Sequence, residues 1–268
     1  MPLIKNPSQP PIKLQLSRDL VRTIKRGHAW VYREALRYLP RANPGTKAIL
    51  LDNRGGKEIA RGFYDPESSI ALRIYSTQVG RLSIDEWAHR KFTQALKLRA
   101  RLFDDQTTGY RLFNGEGDGL PGLVCDIYEK SAVIKFDGQA AERFWDMQGI
   151  AEWLNTNLGI QSTYLKQRGS NEEGKLIGGE ISEQPVTFTE NGINFSADLI
   201  RGQKTGFFFD QRDNRMHIKR LSAKKTILNA FGYTGGFSVY AGLGGASKVT
   251  TVDLAQPALE EADHHWTA

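Results

Sequence analysis

Between Ile12 and Ser76 apolar residues recur in short runs of period two, punctuated by Gly, Pro and Asn. Ile12-Lys13-Leu14-Gln15-Leu16 alternates as a half-buried strand does, and residues 47–52 and 70–75 repeat the pattern. Asn53-Arg54-Gly55-Gly56 and Tyr64-Asp65-Pro66 supply turns. The pattern predicts a small β-barrel with a short helix opening at Ser17 and carrying Leu20, Val21 and Ile24. Residues 1–11, rich in Pro and polar groups, read as a loose leader. From Ser83 the period changes to three and four. Ile84, Trp87, Ala88, Phe92, Ala95, Leu96, Leu102 and Phe103 predict one helix with an apolar face. Ser83 and Glu86 stand at capping-box spacing, and Asp85 adds a second acid to the first turn. Arg90, Lys91, Lys97, Arg99 and Arg101 fall on its expected outer face.

Residues 110–186 predict an α+β unit. Strands are expected at 110–114, 122–129, 132–137 and 160–166, with a single helix over 141–158. Phe144, Met147, Ile150, Ala151, Leu154 and Leu158 would be that helix's inward residues. The polar, glycine-rich stretch 171–183 reads as a loop or linker. Residues 186–189 and 193–195 alternate on either side of Glu190-Asn191-Gly192, a hairpin signal. The final segment is different. An apolar strand over 225–231 is followed by a glycine turn at 232–236, a helix over 237–243, a strand over 247–253 and a helix from 255. That is the βαβ unit of an open parallel sheet.

Composition adds limits. The chain has 268 residues, 40% hydrophobic and 25% charged, an ordinary globular balance. It has no 18-residue apolar run, and the residues after Met1 do not form a secretory signal. A cytoplasmic protein is therefore expected. The single cysteine, Cys125, excludes a disulfide framework or a multi-cysteine zinc site. The net charge of +6 is uneven: residues 1–110 hold 20 Lys and Arg against 10 Asp and Glu, and the remainder is mildly acidic. A polyanion met by the N-terminal region explains this asymmetry, and so does a solubilising surface.

In open parallel sheets the ligand lies beyond the C-terminal strand ends. Gly232, Gly235 and Gly236 follow the first strand there, and Asp253 closes the second. A carboxylate in that place can accept hydrogen bonds from both ribose hydroxyls. The turn Gly232-Tyr233-Thr234-Gly235-Gly236-Phe237 lacks the G-x-G-x-x-G spacing of a dinucleotide site and carries bulky Tyr and Phe. S-adenosylmethionine (SAM), which has no phosphates, suits it better. Upstream, three Phe residues meet the polar run Asp210-Gln211-Arg212-Asp213-Asn214-Arg215. This reads as a core strand with an Asp210 or Asp213 helix cap, and as side chains able to reach a methionine tail.

Three stretches together resemble the ribosomal RNA large-subunit methyltransferase I family: residues 204–215 (KTGFFFDQRDNR), 228–239 (LNAFGYTGGFSV) and 249–253 (VTTVD). Residues 26–32 (RGHAWVY) and 60–64 (ARGFY) are similar to that family's N-terminal PUA domain, and 114–123 (NGEGDGLPGL) to its central domain. The resemblance implies an α/β multidomain fold: a PUA-like barrel over 12–78, a central α+β domain with its connecting helix over 79–185, and the start of a Rossmann-like SAM methyltransferase domain over 186–268. It implies SAM as cofactor and methylation of carbon 5 of a cytosine in 23S ribosomal RNA. Asp210, Gln211, Arg212, Phe231, Tyr233, Thr234, Gly235 and Asp253 would serve the SAM site. Arg22, Lys25, Arg26, Arg33 and Arg61 are candidate RNA phosphate contacts. His28 and Trp30 read as barrel packing.

Cytosine-5 chemistry needs a thiolate to add to carbon 6 before carbon 5 takes the methyl group. Cys125 lies in an apolar strand and reads as structural. The family's catalytic Cys and Asp-Pro-Pro motif are not in this sequence, and two parallel strands cannot make a sheet covered on both faces. The expectation is an inactive N-terminal part of a longer methyltransferase. The alternatives are an RNA-binding module with a vestigial methyltransferase portion, or an enzyme for another base such as guanine.

Overall fold

The period-two runs fold as strands in the computed structural model, which describes residues 1–6, 8–77, 83–167, 174–180 and 184–267. β1 (Ile12–Gln15), β2 (Trp30–Tyr32), β3 (Thr46–Leu51), β4 (Glu58–Tyr64) and β5 (Ile70–Ser76) form one sheet in the order β1–β3–β4–β5–β2. β1 runs parallel to β3 and the other pairs are antiparallel. The Leu16–Leu36 bridge, with Arg37 N–H donating to Gln15 O at 2.9 Å, joins the end of β1 to the segment after β2. That link closes the barrel around Leu14, Leu16, Val31, Leu50 and Leu72. Gly62 is required inside it, because a Cβ there would stand 2.2 Å from the Arg73 carbonyl oxygen. The short helix α1 (Val21–Lys25) begins at Val21 rather than Ser17.

The capping box forms as expected at the start of α2 (Ile84–Leu102). Ser83 Oγ accepts the Glu86 N–H at 3.2 Å, and Glu86 Oε2 accepts the Ser83 N–H at 2.8 Å. The inward stripe differs from the expected one at its end. Leu102 is exposed and Arg99 is buried, held by both oxygens of Asp118 at 2.6 and 2.7 Å. Apolar pattern alone could not show that a paired guanidinium would continue the Ala88–Phe92–Ala95 stripe.

β6 (Gly109–Asn114), β7 (Leu123–Tyr128), β8 (Ser131–Phe136), β9 (Ser162–Leu165) and β10 (Lys175–Gly178) form a second sheet in the order β10–β9–β8–β7–β6. β10 lies in the stretch read as a loop, and pairs antiparallel with β9. Residues 171–173 and 181–183 of that stretch, and the barrel's expected end at residue 78, lie outside the described residues. The single helix expected over 141–158 is two, α3 (Gln139–Phe144) and α4 (Met147–Leu158). Asp146 breaks it by accepting the Gly149 N–H at 2.8 Å as the cap of α4. The leader is not loose either. Leu3 and Ile4 are fully buried, and the Leu3 N–H donates to Asp85 Oδ1 at 2.7 Å.

The chain packs as two units. One comprises Met1–Leu102, Leu112–Cys125 and Ile134–Glu180. The other comprises Phe103–Arg111, Asp126–Val133 and Ile181–Ala268. In the second, β11 (Val186–Glu190) and β12 (Ile193–Ala197) make the hairpin, with Asn191 and Gly192 both at positive φ as a type I′ turn demands. Its inner face meets Tyr128, Phe207, Phe209 and Tyr240. Then follow α5 (Arg212–Leu221), β13 (Thr226–Ala230), α6 (Gly236–Leu243), β14 (Lys248–Val252) and α7 (Gln256–Thr267). β13 and β14 pair in parallel, Leu228 opposite Thr250.

Candidate functional site

The site is built where β13 ends. Phe231, Tyr233 and Gly235 all have positive φ, so the chain turns through three left-handed residues before entering α6. Such strain in bulky residues is sustained only where surrounding contacts over-determine it. Gly232 has no room for a side chain, since a Cβ would stand 2.5 Å from Thr251 Cγ2. Gly235 needs both its φ of +71° and the close approach of Ala262, 2.8 Å from a built Cβ. Thr234 is buried, and its carbonyl oxygen accepts from His265 Nδ1 at 2.8 Å.

Asp253, one residue past β14, bridges the two strand ends. Its Oδ2 accepts the Tyr233 N–H at 2.8 Å and its Oδ1 the Ala255 N–H at 3.0 Å. Those backbone donors, Ala255 first, hold its carboxyl below the usual range. The group is therefore a fixed anion with lone pairs to spare. Opposite it, the Tyr233 hydroxyl accepts the Gln203 N–H at 3.0 Å and donates to Gly206 O at 3.1 Å. The Tyr233 ring meets Phe208 edge-on, with centroids 5.2 Å apart.

The wall carrying Phe207 and Phe208 is pinned from behind by Arg215. Its Nε and Nη2 bind both oxygens of buried Glu190 at 2.8 and 2.6 Å. Its Nη1 donates to Phe208 O at 3.0 Å, and its guanidinium lies 4.6 Å from the Phe207 ring centroid. The Tyr240 hydroxyl also donates to Glu190, at 3.0 Å. Arg215 closes the 204–215 motif, and nothing in the sequence assigns it this role. A conspicuous Arg closing an aromatic-polar run was the only signal.

These parts enclose a cavity of about 380 Å3. Of the eight residues expected at the cofactor, Gln211, Phe231, Tyr233, Thr234 and Asp253 line it. Gly235 sits behind them as the residue before α6. Asp210 is exposed and accepts from Gln211 at 3.2 Å, while Arg212 lies over the Phe103 ring at 4.4 Å and pairs with Asp213. Neither Asp210 nor Asp213 caps α5, which starts after Gln211 with no side-chain cap. Gln203, Phe207, Phe208 and Arg215 line the cavity and were not predicted to.

In the first unit, Arg22, Lys25, Arg26 and Arg33 are exposed, Arg33 donating to Pro66 O at 2.7 Å. Arg61 is paired with Glu58 at 2.6 Å. His28 is exposed rather than packed in the barrel, in the turn after α1 where Gly27 has positive φ. Trp30 is half-buried and donates its indole N–H to Glu116 Oε1 at 2.8 Å. Among the described residues no group of three or more His, Cys, Asp or Glu could hold a metal ion, and no helix is long and apolar enough to cross a membrane.

Comparison with known proteins agrees with this geometry. The family model for S-adenosylmethionine-dependent methyltransferases matches residues 150–267, and that for the PUA-like domain matches residues 14–77. The chain is 36% identical to a ribosomal RNA large subunit methyltransferase of Deinococcus radiodurans, over 97% of this chain and 66% of the relative. It is 37% identical to the ribosomal RNA large subunit methyltransferase I of Alteromonas mediterranea, over 94% of this chain and 64% of the relative. The chain thus spans just under two thirds of the length of these relatives. A solved structure from Streptococcus mutans, described as a candidate SAM-dependent methyltransferase, shares the fold. Its TM-score is 0.82 at 24% identity, over 96% of this chain and 67% of that one. The chain thus carries a PUA-like domain and a SAM-dependent methyltransferase domain and is a homologue of the ribosomal RNA large subunit methyltransferases.

Proposed function

We propose that the second unit holds SAM in the Asp253 cavity and that the first unit holds large-subunit ribosomal RNA in the cytoplasm. The single observation that carries the cofactor reading is Asp253, fixed as an anion across the turn of Phe231, Tyr233 and Gly235. Its remaining lone pairs face the cavity as acceptors for ribose hydroxyls. Phe231, 86% exposed at the rim, and the Tyr233–Phe208 wall supply apolar cover for an adenine ring. The first turn of α6 lines the cavity with no side-chain cap, leaving backbone N–H groups for a carboxylate. Gln211 offers its amide to the same tail. SAM, when bound, supplies an electrophilic methyl group.

The proposed target is carbon 5 of a cytosine, on the resemblance to the methyltransferase I family. Arg22, Lys25, Arg26 and Arg33 are proposed phosphate contacts, and Arg61 is set aside because Glu58 neutralises it. Cys125, the one cysteine, is fully buried in β7. No exposed thiol is therefore present to add to carbon 6. We propose that these 268 residues bind both SAM and RNA without turnover. The test is incubation with tritiated SAM and 23S ribosomal RNA, beside equilibrium dialysis of the same SAM. Saturable SAM binding without label in RNA is expected. Methyl transfer would overturn the no-turnover reading, and absence of SAM binding would overturn the cofactor reading. Label recovered in methylguanosine would also refute the cytosine assignment.

A further inference from the structure

The buried face of α2 is formed by Trp87, Ala88, Phe92, Ala95 and Arg99. At 100° per residue, Arg90, Gln94, Lys97 and Arg101 lie opposite the Ala88–Phe92–Ala95–Arg99 line, four, three and four residues apart. All four are exposed. Sequence reading placed Lys91 and Arg99 on the same outer surface. The structure removes both: Arg99 is spent on Asp118, and Lys91 is half-buried. What remains is a single ridge of three cations.

That ridge is uncompensated. Among the described residues no carboxylate pairs with Arg90, Lys97 or Arg101. The one acid on the same side, Glu86, is turned back to the Ser83 N–H at 2.8 Å by the capping box. Its carboxyl is held below the usual range by that backbone donor. With 1.5 Å of rise per residue, the three cations are about 10 and about 6 Å apart along the axis. These separations are close to a Debye length in physiological salt, so their fields add. Lys97 and Arg101, four residues apart, also repel each other. The helix gains nothing from this arrangement unless something anionic lies along it.

We infer that the Arg90–Lys97–Arg101 ridge of α2 is a docking track for the phosphate backbone of RNA. The inference rests on the ribosomal RNA reading above and extends it to a second element of the first unit, outside the barrel. A linear, evenly rigid row of cations complements a linear polyanion. The helix is fixed for this by its cap and by buried Trp87 and Phe92, the latter meeting Phe113 and Trp153 with ring centroids 4.3 and 5.1 Å away. Leu98, 47% exposed, lies beside the ridge, and Leu102, 57% exposed, lies near the line of the buried face at the helix end. Two leucines are too few to embed a helix in a membrane surface, which separates the track from a lipid-binding face.

The test replaces all three cations by glutamine (R90Q, K97Q and R101Q) in the 268-residue chain. All three are solvent-exposed, so the fold and SAM affinity are expected to stay unchanged. Binding of a fluorescein-labelled large-subunit ribosomal RNA hairpin is followed by anisotropy across about 50 to 200 mM salt. The slope of log affinity against log salt should become shallower by about 2 to 3, with affinity at low salt down about 10-fold or more. An unchanged slope and affinity, with the parent chain binding the hairpin, overturns the track and leaves the RNA reading intact. No binding by the parent overturns both. Tighter binding of the parent to phosphatidylglycerol vesicles than to the hairpin, lost in the triple variant, would also overturn it in favour of a membrane surface.

Discussion

The barrel and the β13–β14 pair are both sheets with apolar strands, yet they are packed in opposite ways. In the barrel, Leu50 and Leu72 have no exposed surface. On the β13–β14 pair, Leu228 is 68% and Val252 51% exposed, and Leu254 just beyond is 97% exposed. The barrel closes on itself, so its inner face is covered by its own residues. The parallel pair is covered on one side by α6 and left open on the other, where Thr226, Leu228 and Ala230 stand beside Lys248, Thr250 and Val252. Parallel strands are ordinarily covered on both faces. The difference teaches that the first unit is stabilised by apolar burial. The second relies on an aromatic cluster under the hairpin and on a few buried polar anchors, and those anchors position the Asp253 cavity.

The sharpest way to break that contrast is to remove an anchor from each unit. Arg215→Met should destabilise the second unit by about 3–5 kcal/mol, because it leaves Glu190 charged, buried and unpaired. Phe92→Ala should cost a similar 3–5 kcal/mol in the first, through a cavity among Trp145, Phe113 and Trp153. Urea unfolding monitored separately for each unit checks both. If the two variants unfold the same unit, the division into a burial-held and an anchor-held part is wrong.

An intermediate effect is expected from acid. Glu261 is held below its ordinary value of 4.5, first by its hydrogen bond from His265, and Asp253 below 3.8. A depressed carboxyl adds stability that is fully present above its ordinary pKa and is lost as pH falls through the lowered one. The melting temperature of the second unit should therefore hold from neutrality to about pH 5 and drop below about pH 4. Glu261→Gln should flatten part of that drop. The smallest effect belongs to the open sheet face, where Leu228→Ala should change stability by no more than about 0.5 kcal/mol. A cost of 2 kcal/mol or more, roughly that of a core leucine, would mean the face is covered in solution.

Much of this was legible because local rules were strong. Ser83 and Glu86 announced the start of α2, Asn191-Gly192 the hairpin, and the glycine turn with Asp253 the cavity. What failed was decided by tertiary partners. Arg99 goes inward because Asp118 waits there, and Leu3 and Ile4 are buried by contacts more than eighty residues away in sequence. The split between α3 and α4 hung on one Asp146 side chain accepting a backbone N–H. In the site, residues with a glycine-dependent backbone or a strand-end position were readable. Arg215 and the Phe207–Phe208 wall were not, since their placement arises from a buried ion pair with Glu190 on a distant hairpin, and neither was Gln203, which is placed by the Tyr233 hydroxyl.

The proposed role of Asp253 as anchor of the cofactor is decided by calorimetric titration of S-adenosylhomocysteine into the parent chain and the Asp253→Ala variant side by side. One-to-one binding by the parent, weakened about 10- to 100-fold in the variant, is the predicted result, together with a modest fall in the variant's melting temperature from the lost Tyr233 and Ala255 hydrogen bonds. Equal affinity in the two proteins would contradict it.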